Sequence, residues 1–170
     1  MNVRRTALSA VAGLSLLASG VGIGVAVSAD ARSGTPAAAP DPVVVVRQAL
    51  AQDVSPPGAG NRTLGLSKVT IMPGATLAAH HHPGDQIAYI AEGVLTYTVE
   101  DGTARVMKGP GDDATLVRKL TDGQGTRLRP GRWLIESQDM VHHASNQGTV
   151  PVVIYIATLL RTGEPAAIAD

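Results

Sequence analysis

Residues 74–93 read GATLAAHHHPGDQIAYIAEG, and this stretch decides the fold of the chain. Short apolar runs lie on both sides of three consecutive histidines. The pattern predicts a strand over residues 77–82, a turn at Pro83-Gly84-Asp85 and a second strand over residues 86–91. The turn at Glu92-Gly93 ends that second strand.

The histidines fall into two groups, residues 80–82 and residues 142–143, and the chain has no others. Side chains two residues apart share one face of a strand, so His80 and His82 point together while His81 points away. Gln86 opens the following strand near the same end, and His142 is expected from a third strand. His143, next to His142, is expected to face away from it.

Three neutral imidazoles that converge on one point predict a site for one divalent metal ion, of which Fe, Mn, Zn, Ni and Cu are all suitable. The chain has no Cys, so its ligands are nitrogen and oxygen. Two alternatives stay open. The histidines form a hydrogen-bonded cluster without a metal, or His81 forms a second surface site with Asp85.

The rest of the domain follows a strand-and-turn pattern, which predicts an all-β antiparallel sandwich or barrel. Asp101-Gly102 is typical of a hairpin turn. Residues 109–125 are rich in Gly and Asp and interrupt the meander, either as a functional loop or as a solvated insertion with an extra strand near Thr115–Leu120. Further strands are predicted at Val43–Val46, Thr63–Met72, Val94–Glu100, Ala104–Lys108, Arg132–Glu136 and Val152–Leu160.

The overall composition limits the class of protein. The 170 residues carry a formal net charge of zero, and charged residues make up 16% of them. A basic surface for nucleic acid is therefore not expected. The length suits one modest domain with a non-globular leader.

The first 29 residues have the features of an export signal. Arg4 and Arg5 precede an uncharged stretch, Thr6–Ala29, that ends in small residues. We expect a helical signal peptide over residues 1–29, or an uncleaved anchor that ties the protein to a membrane, and either places the domain outside the cytoplasm. The arginine pair leaves Sec and twin-arginine export both open. Residues 30–42 are predicted to be a disordered linker and residues 43–170 the folded domain.

The two histidine groups resemble the two motifs of the cupin superfamily. The first motif is Gly, five residues, His-x-His, three or four residues, Glu, six residues, Gly, and here Gly74, His80, His82, Gln86 and Gly93 stand at these spacings. The second motif is matched by Gly131, His142 and Asn146, with Ser137 and Asp139 where the family has Pro and Gly.

This resemblance implies a double-stranded β-helix, or jelly-roll, barrel with one divalent metal at its mouth. It implies that His80, His82 and His142 are ligands and that Gln86 takes the place of the fourth. It also implies a homodimer, often formed by exchanged N-terminal strands, for which Val43–Val46 is suited.

Because Gln86 replaces a carboxylate, we expect the metal centre to keep its full +2 charge and to favour an anionic ligand. Two functions follow as hypotheses: an exported dioxygenase-like enzyme acting on a small oxyanionic substrate, or a non-catalytic barrel of the cell envelope that binds a small molecule or a metal. No catalytic residue is identified. Tyr97 is a candidate because it shares a face with Leu95 and Val99, from which its hydroxyl would reach the metal pocket.

Overall fold

The computed structural model describes residues 44–170, which form two facing antiparallel sheets. The predicted leader and linker, residues 1–42, lie outside the described residues. Within residues 44–170 no helix has the length and apolar character that a membrane crossing demands. Those residues contain twelve strands and one short 3-10 helix, Gly111–Asp113. The strands are β1 (Val45–Val54), β2 (Arg62–Ile71), β3 (Thr76–His81), β4 (Gly84–Glu92), β5 (Leu95–Asp101), β6 (Thr103–Lys108), β7 (Thr115–Thr121), β8 (Gly125–Leu128), β9 (Arg132–Glu136), β10 (Val141–Ser145), β11 (Val152–Arg161) and β12 (Ile168–Ala169).

From β2 onward the chain alternates between the sheets, as in a jelly roll, except that β6 and β7 both lie in the larger sheet. The larger sheet has the order β1-β2-β11-β4-β9-β6-β7, and the smaller one has the order β12-β3-β10-β5-β8. The all-β, antiparallel prediction is therefore confirmed. Inward residues alternate with outward ones; on β4, Gln86, Ala88 and Ile90 are buried while Ile87 and Tyr89 are exposed.

The core between the sheets is almost entirely aliphatic. Fully or nearly fully buried side chains include Ile71, Ile90, Val99, Leu120 and Leu134. The chain has no Phe, and Tyr97 is the one aromatic side chain among the buried core residues of the described region. Burying aliphatic surface from both sheets stabilises the sandwich through the hydrophobic effect, which contributes about 25 cal/mol for each Å² removed from water.

Two predicted turns connect strands of different sheets, so neither of them closes a hairpin. Asp101-Gly102 does not close a hairpin, because β5 lies in the smaller sheet and β6 in the larger. Likewise β3 and β4 are not hydrogen-bonded partners, and β4 already begins at Gly84. Turn residues specify a sharp reversal, but the burial of two apolar faces decides whether the next strand pairs beside the last one or opposite it.

The predicted insertion, residues 109–125, is not a free loop. Its strand β7 forms a hairpin with β6 at the edge of the larger sheet, and the chain then crosses to β8, which pairs with β5. Most of β7 is exposed, but Leu120 is buried in the core. The segment is therefore a structural edge of the barrel.

The N-terminal apolar run is longer than predicted. Residues 45–54 form one strand, β1, which pairs with β2 of the same chain along its whole length. All ten residues of β1 are exposed, and β1 is an edge strand of the larger sheet.

Candidate metal centre

The structure brings His80, His82 and His142 together at one end of the barrel. His80 on β3 lies opposite His142 on the neighbouring strand β10, and His82 follows directly after β3. The ring centroids are 4.3 Å apart for His80 and His142, 5.0 Å for His80 and His82, and 5.2 Å for His82 and His142. The three rings therefore face a common centre.

Backbone carbonyls fix which nitrogen of two rings faces that centre. His80 Nδ1 donates to the Ala78 carbonyl oxygen at 2.7 Å, and His82 Nδ1 donates to the Ala166 carbonyl oxygen at 2.5 Å. A carbonyl oxygen can only accept, so the proton lies on Nδ1 and the Nε2 lone pair is free. Metal-binding histidines in proteins are held in this tautomer by the same kind of second contact.

The three histidines are positioned to bind a metal ion. One ligand nitrogen from each ring lies within 4.8 Å of the others. Bonds of about 2 Å to a shared ion hold two nitrogens at most about 4 Å apart, so a small inward rotation of the rings suffices for ligation. The buried Nε2 of His82 has no hydrogen-bond partner among the described residues, as expected of an atom reserved for an ion.

Burial favours the neutral form of two of these rings, His142 and His82. It lowers the pKa of His142 to about 4, although the nearby Glu136 carboxylate acts in the opposite direction. Burial also lowers the pKa of His82, again against the influence of Glu136. A neutral imidazole is the form that binds a metal, so neither ring has to lose a proton first.

A buried carboxylate at the site, Glu136, was missed in the sequence analysis. Glu136 is 2% exposed at the end of β9, and its Oε1 lies 3.6 Å from His142 Nε2. The structure therefore places a carboxylate in the cavity wall, where the sequence analysis expected none. A signal for it exists in the sequence, since Glu136 is two residues from Leu134 and must share its inward face.

Gln86 lies in the cavity, where its side-chain amide is hydrogen-bonded to Glu136. It is 5% exposed and directly opposite Glu136 on the adjacent strand, and its Nε2 donates a hydrogen bond to Glu136 Oε2. Its Oε1 has no partner among residues 44–170. Gln86 therefore contacts the carboxylate through Nε2, while its Oε1, the atom that would bind an ion in the role implied by the resemblance, stays free.

The pKa of Glu136 lies below its usual range despite its burial. Desolvation raises this pKa, but the attraction of His142 and the hydrogen bond from Gln86 outweigh it. Glu136 is therefore an anion at neutral pH, in a place where buried charges are normally paired or bound to metals.

Tyr97 occupies the inner wall of the same cavity. Its ring, 1% exposed, stacks on His142 with centroids 5.1 Å apart and an interplanar angle of 28°. Burial and the neighbouring Glu136 raise the pKa of the phenol, so it stays protonated. The hydroxyl faces Glu136 without reaching good hydrogen-bond geometry to any described residue.

Arg47 on β1 brings a cation to the cavity. It lines the cavity together with the three histidines, Gln86, Glu136 and Tyr97, and about 40 Å³ of free space remains inside. Arg47 as a whole is exposed, but its guanidinium is partly enclosed by the cavity; this desolvation lowers its pKa, and the Glu136 charge acts against that effect. Arg47 forms no salt bridge with any residue of the described domain.

The remaining motif residues lie outside the cavity. His81 pairs with Asp170 at 2.9 Å and His143 with Glu100 at 2.6 Å, both on the outer surface. Asp85 accepts a hydrogen bond from the Gln138 backbone, and among the described residues it forms no cluster of metal-ligating side chains with His81. Asn146 is buried and donates to the carbonyls of Ile71 and Val150, a structural role.

Both motif turns have the backbone geometry that their residues must supply. Gly93 has φ +72°, and a Cβ there would lie 2.5 Å from the Pro151 carbonyl oxygen, which only glycine avoids. Asp139 has φ +64° at the position where the second motif has glycine. Aspartate tolerates this left-handed conformation better than most residues, at some cost.

Comparison with known protein families finds one match, which includes the strands that carry His80 and Gln86. Residues 67–112 match the family model described as Cupin domain. The resemblance to the cupin superfamily is therefore confirmed over residues 67–112. No curated protein matches it.

Several solved structures are similar to the chain. A cupin superfamily protein from Desulfitobacterium hafniense DCB-2 is 19% identical, with 69% of this chain and 78% of that chain covered and a TM-score of 0.47. KdgF from a Halomonas species is 20% identical, with 67% and 79% covered and a TM-score of 0.45. The DMSP lyase DddQ from Ruegeria pomeroyi DSS-3 is 17% identical, with 63% and 43% covered and a TM-score of 0.46.

Proposed function

We propose that the protein is an exported, metal-dependent enzyme of the dioxygenase-like kind that acts on a small oxyanionic substrate. The observation that supports this most strongly is the convergence of His80, His82 and His142 with two Nε2 atoms held free by backbone contacts. Those three histidines would hold one divalent ion. Such an ion supplies positive charge that polarises the oxygens of a bound substrate.

The charge around the cavity supports an anionic substrate. Arg47 forms no salt bridge with residues 44–170 and lines the same cavity as the histidines. A guanidinium presents paired donors that match the two oxygens of a carboxylate. Arg47 would orient the anion from the β1 side, while the Tyr97 hydroxyl faces it from the inner wall.

The small free volume sets the size of that substrate. About 40 Å³ holds an ion with a few waters, since one water needs roughly 10–15 Å³ of such space. A substrate of a few heavy atoms would fit, or a larger one would place only its oxyanion inside. The same volume supports a second candidate function, a barrel that binds a metal without turnover.

One experiment separates the two functions. The metal in the purified protein is identified by elemental analysis, and oxygen consumption is measured with panels of catechols, diketones and flavonols. Iron, copper or manganese together with turnover supports the enzyme. Bound zinc without turnover supports the binding barrel. Protein that is folded, metal-free and unable to take up any added divalent ion contradicts both.

We also propose export and self-association, which rest on other parts of the chain. Export rests on the basic and uncharged segments of residues 1–29. N-terminal sequencing of the mature protein from cell fractions tests it, with a start near residue 30 expected. The homodimer rests on apolar side chains that the larger sheet exposes on its outer face, namely Leu64, Leu66, Ile87, Tyr89 and Tyr155.

A further inference from the structure

The Glu136 carboxylate is a buried charge that forms no close ion pair with an arginine or lysine of residues 44–170, although Arg47 acts on it from further away. It is 2% exposed, and its nearest basic atom is His142 Nε2 at 3.6 Å. Buried carboxylates in proteins are normally paired with a cation or coordinate a metal.

The two oxygens of Glu136 face different neighbours. Oε2 accepts the hydrogen bond from Gln86 Nε2, while Oε1 is the atom that approaches His142 Nε2. One oxygen is therefore held by Gln86 of the larger sheet, and the other approaches His142 of the smaller sheet. This division suits a carboxylate that binds an ion through a single oxygen.

Strand register explains how Glu136 reaches the place that Gln86 was expected to fill. Gln86 on β4 and Glu136 on β9 are paired residues of adjacent antiparallel strands. Adjacent strands are about 4.8 Å apart, and both side chains point inward from the same level of the sheet. A carboxylate on β9 can therefore approach the same ion from one strand further along.

We propose that Glu136 is the fourth protein ligand of the ion and that Gln86 is the residue that positions its carboxylate. The two residues have exchanged places relative to the cupin motif, in which the carboxylate stands at the Gln86 position. This inference rests on the proposed metal site. It lowers the charge of the centre by one unit relative to three neutral histidines alone.

Reciprocal substitutions of this pair test the proposal through metal binding, independently of activity. The full chain is stripped of metal, and Co²⁺ affinity and the visible Co²⁺ spectrum are measured. Glu136→Gln is expected to weaken Co²⁺ binding on the order of 100-fold and to change the spectrum, because a ligand is lost. Gln86→Leu is expected to weaken binding about 10-fold, the usual effect of losing a contact that orients a ligand.

The double exchange Gln86→Glu with Glu136→Gln keeps the composition and returns the carboxylate to β4. It is expected to recover Co²⁺ affinity to within about 10-fold of the wild type, which a merely structural role of Glu136 would not produce. Glu100→Gln is the matched control, since Glu100 pairs with His143 on the outer surface. Circular dichroism of each variant reports whether it is folded.

The outcomes separate this proposal from the proposed function. Wild-type Co²⁺ affinity and spectrum in folded Glu136→Gln overturn the ligand role of Glu136 and leave the three-histidine site intact. A wild-type chain that binds no Co²⁺ overturns the proposed metal site and the role of Glu136 with it.

Discussion

Gln86 and Glu136 are opposite residues on β4 and β9, and the Gln86 side-chain amide donates a hydrogen bond to the Glu136 carboxylate inside the barrel. Both side chains are nearly inaccessible to water. The carboxylate at this end of the barrel therefore comes from Glu136, in the region of the second motif. Gln86 of the first motif holds that carboxylate by a hydrogen bond.

The metal-free protein is expected to lose stability as the pH falls from 6.5 to 4. Folding lowers the pKa of His142 from 6.5 to about 4, so the unfolded chain takes up a proton first as the pH falls. The loss from His142 alone amounts to up to about 3 kcal/mol and is complete near its folded pKa. Glu136, whose pKa is also lowered, adds a further loss only below pH 4.5, the ordinary value for its carboxyl group.

Urea unfolding of EDTA-treated protein at pH 7.0, 5.5 and 4.5 measures this dependence. The variant His142→Gln serves as the comparison and is expected to show a shallower slope between pH 6.5 and 4. Equal slopes for both proteins would show that His142 is not responsible.

Removal of residues 165–170 is expected to weaken zinc binding about 10- to 100-fold. The truncation removes the Ala166 carbonyl that holds His82 in its ligand tautomer, together with strand β12 beside β3. Loss of such second contacts to metal-binding histidines has effects of this size. Competition with a chelator gives the affinity.

The control for this truncation is Asp170→Asn, which alters only the surface pair with His81. Its zinc affinity should match that of the wild type. If the truncated protein also binds zinc as tightly as the wild type, the C-terminal segment does not orient His82.

Arg47→Met is expected to weaken the binding of small carboxylates to the metal-loaded protein at least 10-fold. The methionine keeps an unbranched apolar side chain but removes the guanidinium from the cavity. Charge-assisted hydrogen bonds to a carboxylate are roughly twice as strong as neutral hydrogen bonds, so their loss weakens binding of the carboxylate. Titration with formate, followed by the Co²⁺ spectrum, gives the dissociation constant.

Arg105→Met is the matched control, because Arg105 is exposed on β6 and does not line the cavity. Identical formate affinities for the two variants would exclude Arg47 from anion binding.

Asp139→Gly is expected to stabilise the protein by about 0.5–1 kcal/mol, or a few degrees in Tm. Asp139 has φ +64°, a conformation that glycine adopts without steric cost. Its ion pair with Arg161 spans 3.8 Å on the surface and contributes little. Thermal unfolding measures the change.

Asp112→Gly is the comparison for Asp139→Gly. Asp112 is exposed and has no positive φ, so glycine there only increases the freedom of the unfolded chain and lowers Tm. A fall in Tm for Asp139→Gly as well would mean that the side chain of Asp139 matters more than its backbone.

Ile87→Glu is expected to convert a dimer into a monomer. Ile87 is 45% exposed on the outer face of the larger sheet, and Ala157 lies between it and Leu66 in the strand register. A contiguous apolar surface of this kind marks an association site, and a buried carboxylate would oppose it. Light scattering after size exclusion gives the mass.

Val150→Glu, at an exposed apolar residue of a loop, should leave the mass unchanged.

The sequence supports the placement of the histidines because strand parity is a local property. His80 and His82 share a face by their spacing alone, and His81 is excluded by the same rule. Tyr97 follows the same reasoning, since Leu95, Tyr97 and Val99 are all buried on β5. Local alternation is enough to orient each of these side chains.

Which strands are neighbours depends on long-range packing, and there the sequence reasoning fell short. Asp101-Gly102 has the residues of a hairpin turn, yet β5 and β6 lie in opposite sheets. Glu136 was missed for the same reason. Its inward direction is readable from Leu134, but its position beside Gln86 depends on the pairing of β9 with β4, two strands far apart in the chain.

Three of the proposed ligands belong to the smaller sheet or follow its strand β3, while Glu136 belongs to the larger one. An ion bound by all four residues would cross-link the two sheets. Removal of the ion by a chelator would then speed amide hydrogen exchange along β9 and β10 together. The change would appear deep within the barrel, far from any solvent-facing loop.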